Sequence, residues 1–342
     1  MHAIRYHRFG GLEELRYEEA PTPRPGPGEV AVRVGACGVN RVDILSREGL
    51  TPFKTPVPHI SGSDVAGHVS EVGPDVTGIE QGAKVVVLPT LSCGVCAMCR
   101  AGEDNMCLKG GIFGVMSDGG YAQYTVAPAR NILPLPDNLD VVDAAAMAIV
   151  GSTAWHMLVS RARLRQAEDL LVVAAGSGIG AMAVQIGKLS GARVIATAGS
   201  AEKLDKLKAL GADFVVDHSR PHWSQEVRRI TARRGVDVVF EHVGAATWED
   251  SLMCLTRNGR LVTCGGHTGF NVGIDLWQLF VKQITLIGSF AATRQDLVDV
   301  LAMASRGLLR PVLHQVLPLA EATQAQRLME NRGIFGKIVL TP

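Results

Sequence analysis

Residues 170–181 read LLVVAAGSGIGA, an apolar run that passes directly into a glycine-rich turn. The apolar half predicts a buried strand, and the spacing of Met182, Ile186 and Leu189 predicts a helix after the turn. From Gly176 the turn has the form G-x-G-x-x-A, whose small residues let the backbone approach a pyrophosphate at the helix N-terminus. An isolated turn of this form is also compatible with an ordinary tight turn, so its surroundings have to discriminate.

The sequence around this turn repeats the alternation of strand and helix. Six short apolar runs are predicted strands: residues 170–174, 193–197, 214–217, 236–241, 260–264 and 285–289. Strands that are apolar throughout and alternate with helices indicate a parallel sheet covered on both faces. The sequence therefore predicts an α/β fold with a doubly wound, six-stranded parallel Rossmann sheet that binds a dinucleotide. The turn residues expected to contact the dinucleotide are Gly176, Ser177, Gly178, Ile179 and Gly180.

The chain before this sheet has a different character. Up to about residue 135, short strand-like runs are broken by proline and glycine, which predicts a compact, barrel-like β domain. Its PTPRPGPG stretch at 21–28 cannot be helical, because proline lacks the amide donor. We expect the β domain to occupy residues 1–151 and the dinucleotide domain residues 152–291. The tail at 292–342 is expected to return to the first domain.

Composition excludes several classes of protein. The chain has 342 residues, a hydrophobic fraction of 47%, and 34 basic against 33 acidic side chains, so a globular protein with a large core is expected. A net charge of +1 gives no reason to expect a nucleic acid or a membrane as partner. The N-terminus lacks the apolar segment of a signal peptide, and the uncharged run 170–187 divides into strand, turn and helix. We therefore expect a cytoplasmic protein.

The end of the second predicted strand bears on the choice between NADH and NADPH. Proteins that bind NAD place an acidic residue there, which binds the ribose 2′-hydroxyl. Ala198 occupies that position, Gly199 and Ser200 follow it, and Lys203 can supply a cation. This arrangement favours NADPH, because a 2′-phosphate suits a hydroxyl and a cation. The alternative is NADH bound by Glu202, with the lysine a solvated helix residue.

Four of the seven cysteines are clustered with the spacing C-x2-C-x2-C-x7-C; they are Cys93, Cys96, Cys99 and Cys107. Four thiolates on tight loops suit tetrahedral Zn²⁺ and leave no open coordination position, which predicts a structural zinc. The main alternative is an iron–sulfur cluster, whose motif continues with x3-C-P, whereas here the spacer is seven and Leu108 follows. Metal-free thiols are a further alternative. The other cysteines, Cys37, Cys254 and Cys264, are expected to be small buried apolar residues.

Together these features resemble the medium-chain dehydrogenase/reductase superfamily of zinc-type alcohol dehydrogenases and quinone oxidoreductases. The resemblance covers essentially the whole chain. It rests on GSDVAG at 62–67, the cysteine lobe at about 90–110, GGYAQY at 119–124, the glycine-rich turn and GKIVL at 336–340. It implies a GroES-like β-barrel domain beside the Rossmann domain, with the nicotinamide in the cleft between them. It also implies a homodimer or homotetramer paired through the last Rossmann strands, here near 285–290.

The sequence differs from the zinc alcohol dehydrogenases at the residues that bind their catalytic metal. The positions of its Cys, His and Cys ligands match Asn40, Ser63 and a residue at or near Ile149, and the hydroxyl residue that takes the substrate proton matches Val42. Such side chains do not hold Zn²⁺ as two thiolates and an imidazole do, so no catalytic zinc is expected. His59 lies nearby as a conceivable substitute ligand, but a satisfied or exposed histidine is the interpretation we favour.

A zinc-free site of this kind is similar to that of the quinone oxidoreductase and enone reductase branch, which has a segment like ACGVN at 36–40. We therefore expect an NADPH-dependent reductase of quinones or α,β-unsaturated carbonyls, whose conjugation already supplies the electron sink. The residues expected to form the polar wall of the site are Asn40, Asp43, Ser63 and Asp64. Further cofactor contacts are expected from Thr153, Gly265, Gly266 and, at the pyrophosphate, Lys337.

Three alternatives accompany that assignment. Structural hydrogen bonding is the alternative role for Asp43 and Asp64. A zinc-type alcohol dehydrogenase with an atypical metal site is the second functional hypothesis, and a non-enzymatic NADPH-binding sensor is the third. The substrate is expected to be a small carbonyl, enone or quinone molecule in the first case.

Overall fold

The computed structural model describes residues 1–342 and divides into two compact units. Unit 1 comprises Met1–Ser152 and Ala292–Pro342, and unit 2 comprises Thr153–Ala291. The strands are β1 (His2–Arg5), β2 (Arg16–Glu19), β3 (Glu29–Gly38), β4 (Asp64–Val72), β5 (Lys84–Val87), β6 (Thr90–Leu91), β7 (Gly111–Ile112), β8 (Tyr124–Pro128), β9 (Ile132–Pro134), β10 (Asp169–Val172), β11 (Arg193–Ala198), β12 (Phe214–Asp217), β13 (Val236–Glu241), β14 (Leu255–Thr263), β15 (Thr285–Gly288), β16 (Leu313–Pro318) and β17 (Lys337–Thr341). The α-helices are α1 (Arg41–Arg47), α2 (Ala97–Arg100), α3 (Val141–Trp155), α4 (Gly178–Leu189), α5 (Ala201–Ala209), α6 (Ser224–Ile230), α7 (Ala245–Met253), α8 (Leu276–Val281), α9 (Arg294–Ser305) and α10 (Ala322–Glu330).

Unit 2 contains a six-stranded sheet in the order β12-β11-β10-β13-β14-β15, and every neighbouring pair is parallel. The predicted Rossmann sheet is therefore confirmed. The strand order reverses between β10 and β13, so the crevice at their carboxyl ends is the point where doubly wound sheets bind ligands.

Close packing of α4 on β10 explains two glycines of the helix, one at each end. A Cβ at Gly180 would lie 2.6 Å from the Ala175 Cα, and one at Gly187 would lie 2.6 Å from the Leu170 Cδ2. Leu170 and its strand neighbours are fully buried, and each such side chain contributes about 1.5–3 kcal/mol on burial. The helix is therefore held directly against the central strand at both of its ends.

Unit 1 contains a seven-stranded sheet in the order β16-β17-β3-β4-β5-β9, with β8 also paired to β3. All pairs are antiparallel except β16 with β17. This mostly antiparallel sheet confirms the predicted β domain. Because β17 pairs with β3 and with no strand of the parallel sheet, the last strand of the chain completes the sheet that the first third begins.

One helical segment, Val141–Arg161, is long and apolar enough to cross a membrane. Of its most apolar window, 72% is buried inside the protein, as expected for a core helix of a globular protein. The segment begins with α3 and ends in a wider π-type turn at His156–Arg161.

Candidate functional site

The glycine-rich turn of unit 2 is built as an anion-binding helix terminus. Ser177 caps α4, since its Oγ accepts a hydrogen bond from the Gly180 amide at 3.0 Å. The preceding Ala174 has φ of +50°, which turns the chain sharply out of β10. The first amides of α4, at Gly178 and Ile179, are directed along the helix axis without intrahelical acceptors. This arrangement suits a pyrophosphate in the crevice.

A buried histidine that the sequence reasoning missed lies against this turn. The His242 Nε2 is 3.3 Å from the Ser177 Oγ, and the residue is 4% exposed. Burial lowers the pKa of His242 to about 4, with a contribution from His267, so the ring is neutral. The signal was available, because His242 follows β13 and therefore lies at the carboxyl edge where ligands bind.

The end of β11 holds the residues that were predicted to select the cofactor. Gly199 and Ser200 are exposed after Ala198, and the Ser200 Oγ accepts the Lys203 amide at 3.4 Å at the start of α5. Burial lowers the pKa of Lys203, which is half-buried. The Glu202 carboxylate, the alternative ribose ligand, lies 2.6 Å from the Lys206 Nζ one turn along the same helix.

The remaining predicted cofactor residues of unit 2 are Thr153, Gly265 and Gly266. The two glycines follow β14, and a Cβ at Gly265 would lie 3.1 Å from the His242 carbonyl oxygen. A Cβ at Gly266 would lie 2.6 Å from the Phe270 ring. Thr153 is buried within α3. The glycines and the turn thus share the carboxyl edge of the sheet, and their cofactor contacts stay predictions.

In unit 1 the predicted polar residues converge on Asp64. Its Oδ2 accepts hydrogen bonds from the Asn40 Nδ2 at 2.8 Å and from the Lys337 Nζ at 2.9 Å. Its Oδ1 accepts the Ile149 amide at 2.6 Å. The ammonium also donates to the Asn40 Oδ1 and to the Val39 carbonyl, both at 2.8 Å. We call these residues the Asp64 cluster; Asp64 is fully buried, and Lys337 is 3% exposed.

Lys337 is the member of this cluster whose partners the sequence did not predict. All three donors of its ammonium are used by Val39, Asn40 and Asp64. Its expected contact with a pyrophosphate stays a prediction. A lysine at the start of an apolar run, residues 338–340, was the available signal, since a buried cation requires an anionic partner.

Asp43 forms a second buried group beside the cluster. Its Oδ2 accepts the Asn40 amide at 2.8 Å and the Tyr121 hydroxyl at 3.0 Å. Burial raises the pKa of Asp43 to about 7, although the Asn40 amide and the Lys337 charge oppose the shift. The contacts of Asp43 and Asp64 are those of structural hydrogen bonding, the alternative role given above, and a catalytic role stays a prediction.

Ser63 and His59 are also buried near β4. The Ser63 Oγ has no hydrogen-bond partner, although the residue is fully buried. The His59 Nε2 is 3.0 Å from the Gly114 carbonyl oxygen, and burial lowers the pKa of the ring. The His59 Nδ1 is buried without a hydrogen-bond partner, and the Asp118 carboxylate lies 3.5 Å from it, so only one ring nitrogen is satisfied. Ser63 offers the one hydroxyl of this site that is not already bonded.

The four clustered cysteines form the other candidate site of unit 1. Their sulfurs all lie within 4.8 Å of one another. Separations are 3.5 Å between Cys96 and Cys99, 3.9 Å between Cys96 and Cys107, and 4.0 Å between Cys93 and Cys99. A tetrahedron with Zn–S bonds of about 2.3 Å has edges of about 3.8 Å. The cluster therefore fits a structural zinc.

Backbone amides donate hydrogen bonds to these sulfurs and so favour the thiolate form that binds a cation. The Cys107 Sγ accepts the Cys93 amide at 3.2 Å and the Lys109 amide at 3.4 Å. Backbone hydrogen bonds lower the pKa of Cys96 to about 6, whereas burial and the Cys96 sulfur raise the pKa of Cys99 to about 11. A bound cation would release the proton of Cys99, since metal ligation requires thiolates.

An acidic side chain joins the cysteine lobe to the C-terminal part of unit 1. The Asp104 carboxylate accepts the Arg294 amide at 3.1 Å, at the N-terminus of α9. Of the three remaining cysteines, Cys37 and Cys254 are buried as predicted, whereas Cys264 is half-buried.

Comparisons with known proteins agree with this geometry. The family description "Zinc-binding dehydrogenase" matches residues 178–306, and "Alcohol dehydrogenase GroES-like domain" matches residues 26–137. An NAD-dependent alcohol dehydrogenase of Sulfolobus acidocaldarius is 33% identical, covering 99% of each chain. A quinone oxidoreductase of Sus scrofa is 29% identical, covering 99% of this chain and 97% of that one. A crystal structure of an NAD-dependent alcohol dehydrogenase is 43% identical, with a TM-score of 0.96 and full coverage of both chains.

The chain belongs to the medium-chain dehydrogenase/reductase superfamily, with a GroES-like domain and a zinc-binding dehydrogenase domain. It is an oxidoreductase that uses a nicotinamide cofactor, as predicted. The similar proteins include both alcohol dehydrogenases and quinone oxidoreductases.

Proposed function

We propose that this protein is an NADPH-dependent reductase of quinones or α,β-unsaturated carbonyls that works without a catalytic zinc. The observation that most supports this proposal is the set of contacts within the Asp64 cluster. Asn40 occupies a position matched to a catalytic-zinc ligand, a second such position lies at or near Ile149, and the Asn40 oxygen already accepts from the Lys337 ammonium. Both oxygens of Asp64 are also engaged. A cation belonging to the chain thus neutralises the carboxylate that would otherwise attract a metal.

The residues of the chain then serve to bind and orient. When bound, NADPH supplies a hydride to the conjugated acceptor. The α4 terminus holds the pyrophosphate, and the Asp64 cluster fixes the Asn40 side chain as a rigid wall. Positioning of this kind is the main contribution that a conjugated substrate requires, because its own π system takes the electron pair. Ser63 contributes the free hydroxyl of that wall.

A substrate panel tests this proposal. We expect steady-state turnover of NADPH with quinones or enones, and little oxidation of simple alcohols by NADP⁺ or NAD⁺. Dominant alcohol oxidation that stops when a chelator removes a second zinc would contradict it. That outcome would establish the second candidate, a zinc-type alcohol dehydrogenase, which the names of several similar proteins favour. Cofactor binding without turnover of any substrate would instead indicate a sensor.

The choice of NADPH is supported by the start of α5. Lys203 and Ser200 lie at the start of this helix beside the exposed Gly199, where a 2′-phosphate would be placed, while Glu202 is engaged by Lys206. The Lys203→Ala variant is expected to raise KM for NADPH about tenfold, the loss of one charge-assisted hydrogen bond, and to leave KM for NADH within about twofold. Lys208→Ala is the matched control, since Lys208 lies on the same helix and pairs with Asp205 at 3.7 Å rather than with Glu202. Equal effects on both cofactors would contradict the assignment to a 2′-phosphate.

We also propose a cytoplasmic homodimer or homotetramer with one structural Zn²⁺ per chain. Strand β15 ends the parallel sheet with an open edge, and Leu286 and Ile287 on it are half-exposed. An open apolar edge of this kind is suited to pairing with a second copy. Light scattering coupled to size-exclusion chromatography is expected to give at least twice the chain mass of 36.4 kDa. A monomer at micromolar concentration would contradict pairing.

A further inference from the structure

A cationic cavity lies at the end of the unit 2 sheet opposite to the glycine-rich turn. Its volume is about 370 Å³, within the usual range for small-molecule sites. The lining residues are Arg228, Arg233, Arg234, Leu255, Thr256, Arg257, Trp277, Gln278, Val281 and Lys282. Five of these ten residues are cationic and none is acidic. The cavity opens at the amino ends of β13 and β14, whereas doubly wound sheets bind dinucleotides at the carboxyl ends.

Two cations of this cavity, Arg228 and Lys282, are held in place by uncharged groups. Arg228 donates to the carbonyl oxygens of Met253 at 3.4 Å and of Arg233 at 3.2 Å. The Lys282 Nζ is 3.5 Å from the Leu255 carbonyl oxygen. Carbonyl oxygens orient a cation but carry no net charge.

Arg234 is the exception among the five. Its guanidinium pairs with the carboxylates of Asp237 and Asp169, each at 2.7 Å. No acidic side chain pairs with the other four, which are Arg228, Arg233, Arg257 and Lys282. The neighbouring Asp250 carboxylate is occupied by Ser224. Four like charges therefore face one cavity, and an anion within it would relieve their repulsion.

The pKa of Lys282 reflects the other cations that line the cavity. Burial and then the charge of Arg228 lower the pKa of Lys282, and Arg257 adds to the effect. The Lys282 backbone is fixed at the end of α8, because its carbonyl oxygen accepts the Asn258 amide at 2.7 Å. The fold thus fixes the Arg228 guanidinium and the Lys282 backbone, which limits the rearrangement that anion binding requires.

One wall of the cavity is aromatic. Trp277 is 68% exposed, and its ring meets Phe280 edge to face with centroids 5.1 Å apart. Leu255 and Val281 complete the apolar part of the lining. An exposed indole beside a group of arginines offers a stacking surface for a base next to its phosphates.

We propose that this cavity is a second anion site, which binds a polyphosphate group either free or as part of a nucleotide. Arg228, Arg257 and Lys282 take the phosphates, each as a charge-assisted donor. Trp277 stacks on a base when the phosphates belong to a nucleotide. The site is separate from the dinucleotide turn, since the two lie at opposite ends of the strands.

Calorimetry on the full chain saturated with NADPH or NADH tests this proposal, with tripolyphosphate and ATP as probes. We expect binding of both probes, weakened at least tenfold in the variant Arg228→Ala/Arg257→Ala/Lys282→Ala. The exposed single variant Arg257→Gln is expected to weaken binding about threefold without loss of stability. Arg229→Ala is the matched control, because Arg229 lies on α6 but pairs with Glu226. Thermal midpoint and NADPH affinity report whether each variant is folded.

Comparison of ATP with tripolyphosphate distinguishes a nucleotide site from a site for free polyphosphate. A tighter affinity for ATP that Trp277→Ala reduces to that of tripolyphosphate assigns the site to a nucleotide. Equal affinities of both probes, unchanged by that substitution, assign it to free polyphosphate. Absence of binding, binding abolished by saturating cofactor, or binding unaffected by the triple variant would overturn the proposal.

Discussion

The two polar sites of unit 1, the cysteine lobe and the Asp64 cluster, differ in how their negative charge is balanced. The cysteine lobe draws four sulfurs from 15 consecutive residues, 93–107, and the thiolates need an external dication. The Asp64 cluster draws its groups from distant segments, and Lys337 of β17 neutralises Asp64 of β4 from within. Because the Lys337 ammonium balances the Asp64 carboxylate, the Asp64 cluster has no net negative charge to attract a metal ion. That difference is the physical basis for assigning zinc to one site and not to the other.

The largest effect is expected from breaking the cysteine lobe. Cys96→Ser removes one ligand of the predicted zinc, so zinc content is expected to fall from one ion per chain towards zero. The thermal midpoint is expected to fall by about 10 °C or more, because metal binding contributes directly to folding. Metal analysis and a thermal scan measure both. Cys264→Ala is the control and is expected to leave zinc content unchanged; retained zinc in Cys96→Ser would show that the lobe is not the site.

The next effect is expected from the Asp64 cluster. Lys337→Met leaves the buried Asp64 carboxylate unpaired, which is expected to lower the free energy of unfolding by about 3–5 kcal/mol. Adding Asp64→Asn is expected to restore part of that loss. Urea denaturation of the four proteins of this double-mutant cycle gives the coupling energy.

An exposed pair provides the comparison for that cycle. Lys188 lies 2.7 Å from Asp213, but both side chains are about one-third exposed. Lys188→Met is therefore expected to cost less than about 1 kcal/mol. Equal losses in Lys188→Met and Lys337→Met would show that Lys337 is not the counter-ion of a buried carboxylate.

The smallest effect is expected at Asp43. Burial raises its pKa to about 7 in the folded chain, so the folded state holds the proton more tightly than the unfolded state does. Its contribution to stability is therefore present at low pH and is lost as the pH rises from about 4 to 7. Asp43→Asn is expected to remove at most about 4 kcal/mol of that pH dependence, the free energy that separates a pKa of about 7 from the usual value near 4. Denaturation at several pH values measures it.

Asp213 serves as a control of opposite sign. Although burial opposes the shift, hydrogen bonds from Lys188 and from the Val194 amide lower its pKa. Its contribution is therefore lost as the pH falls through that lowered pKa. A pH dependence that is the same in wild type and in Asp43→Asn would contradict the account of Asp43.

The sequence predicted those features that depend on local patterns. Strands β12 and β13 have the predicted bounds, because apolar runs between turns define them. Strand β14 begins at Leu255, five residues before the predicted start at 260, because Thr256, Arg257 and Asn258 are polar although they lie in the strand. The cysteine cluster was predicted for the same local reason: its ligands lie in one short segment.

Groups that tertiary structure brings together could not be derived from spacing. Lys337 and Asn40 are 297 positions apart and meet only because β17 pairs with β3. The pair of Ser177 and His242 likewise depends on the neighbouring positions of β10 and β13. The cationic cavity combines the end of α6, the start of β14 and the end of α8, none of which has a recognisable motif.

The central claim is that this dehydrogenase-family chain holds one closed structural zinc and no catalytic zinc. X-ray absorption at the zinc edge, together with metal analysis of the purified protein, tests it directly. The account predicts one zinc per chain with four sulfur neighbours at about 2.3 Å. Two zinc ions per chain, or nitrogen and oxygen neighbours in the average coordination shell, would contradict it.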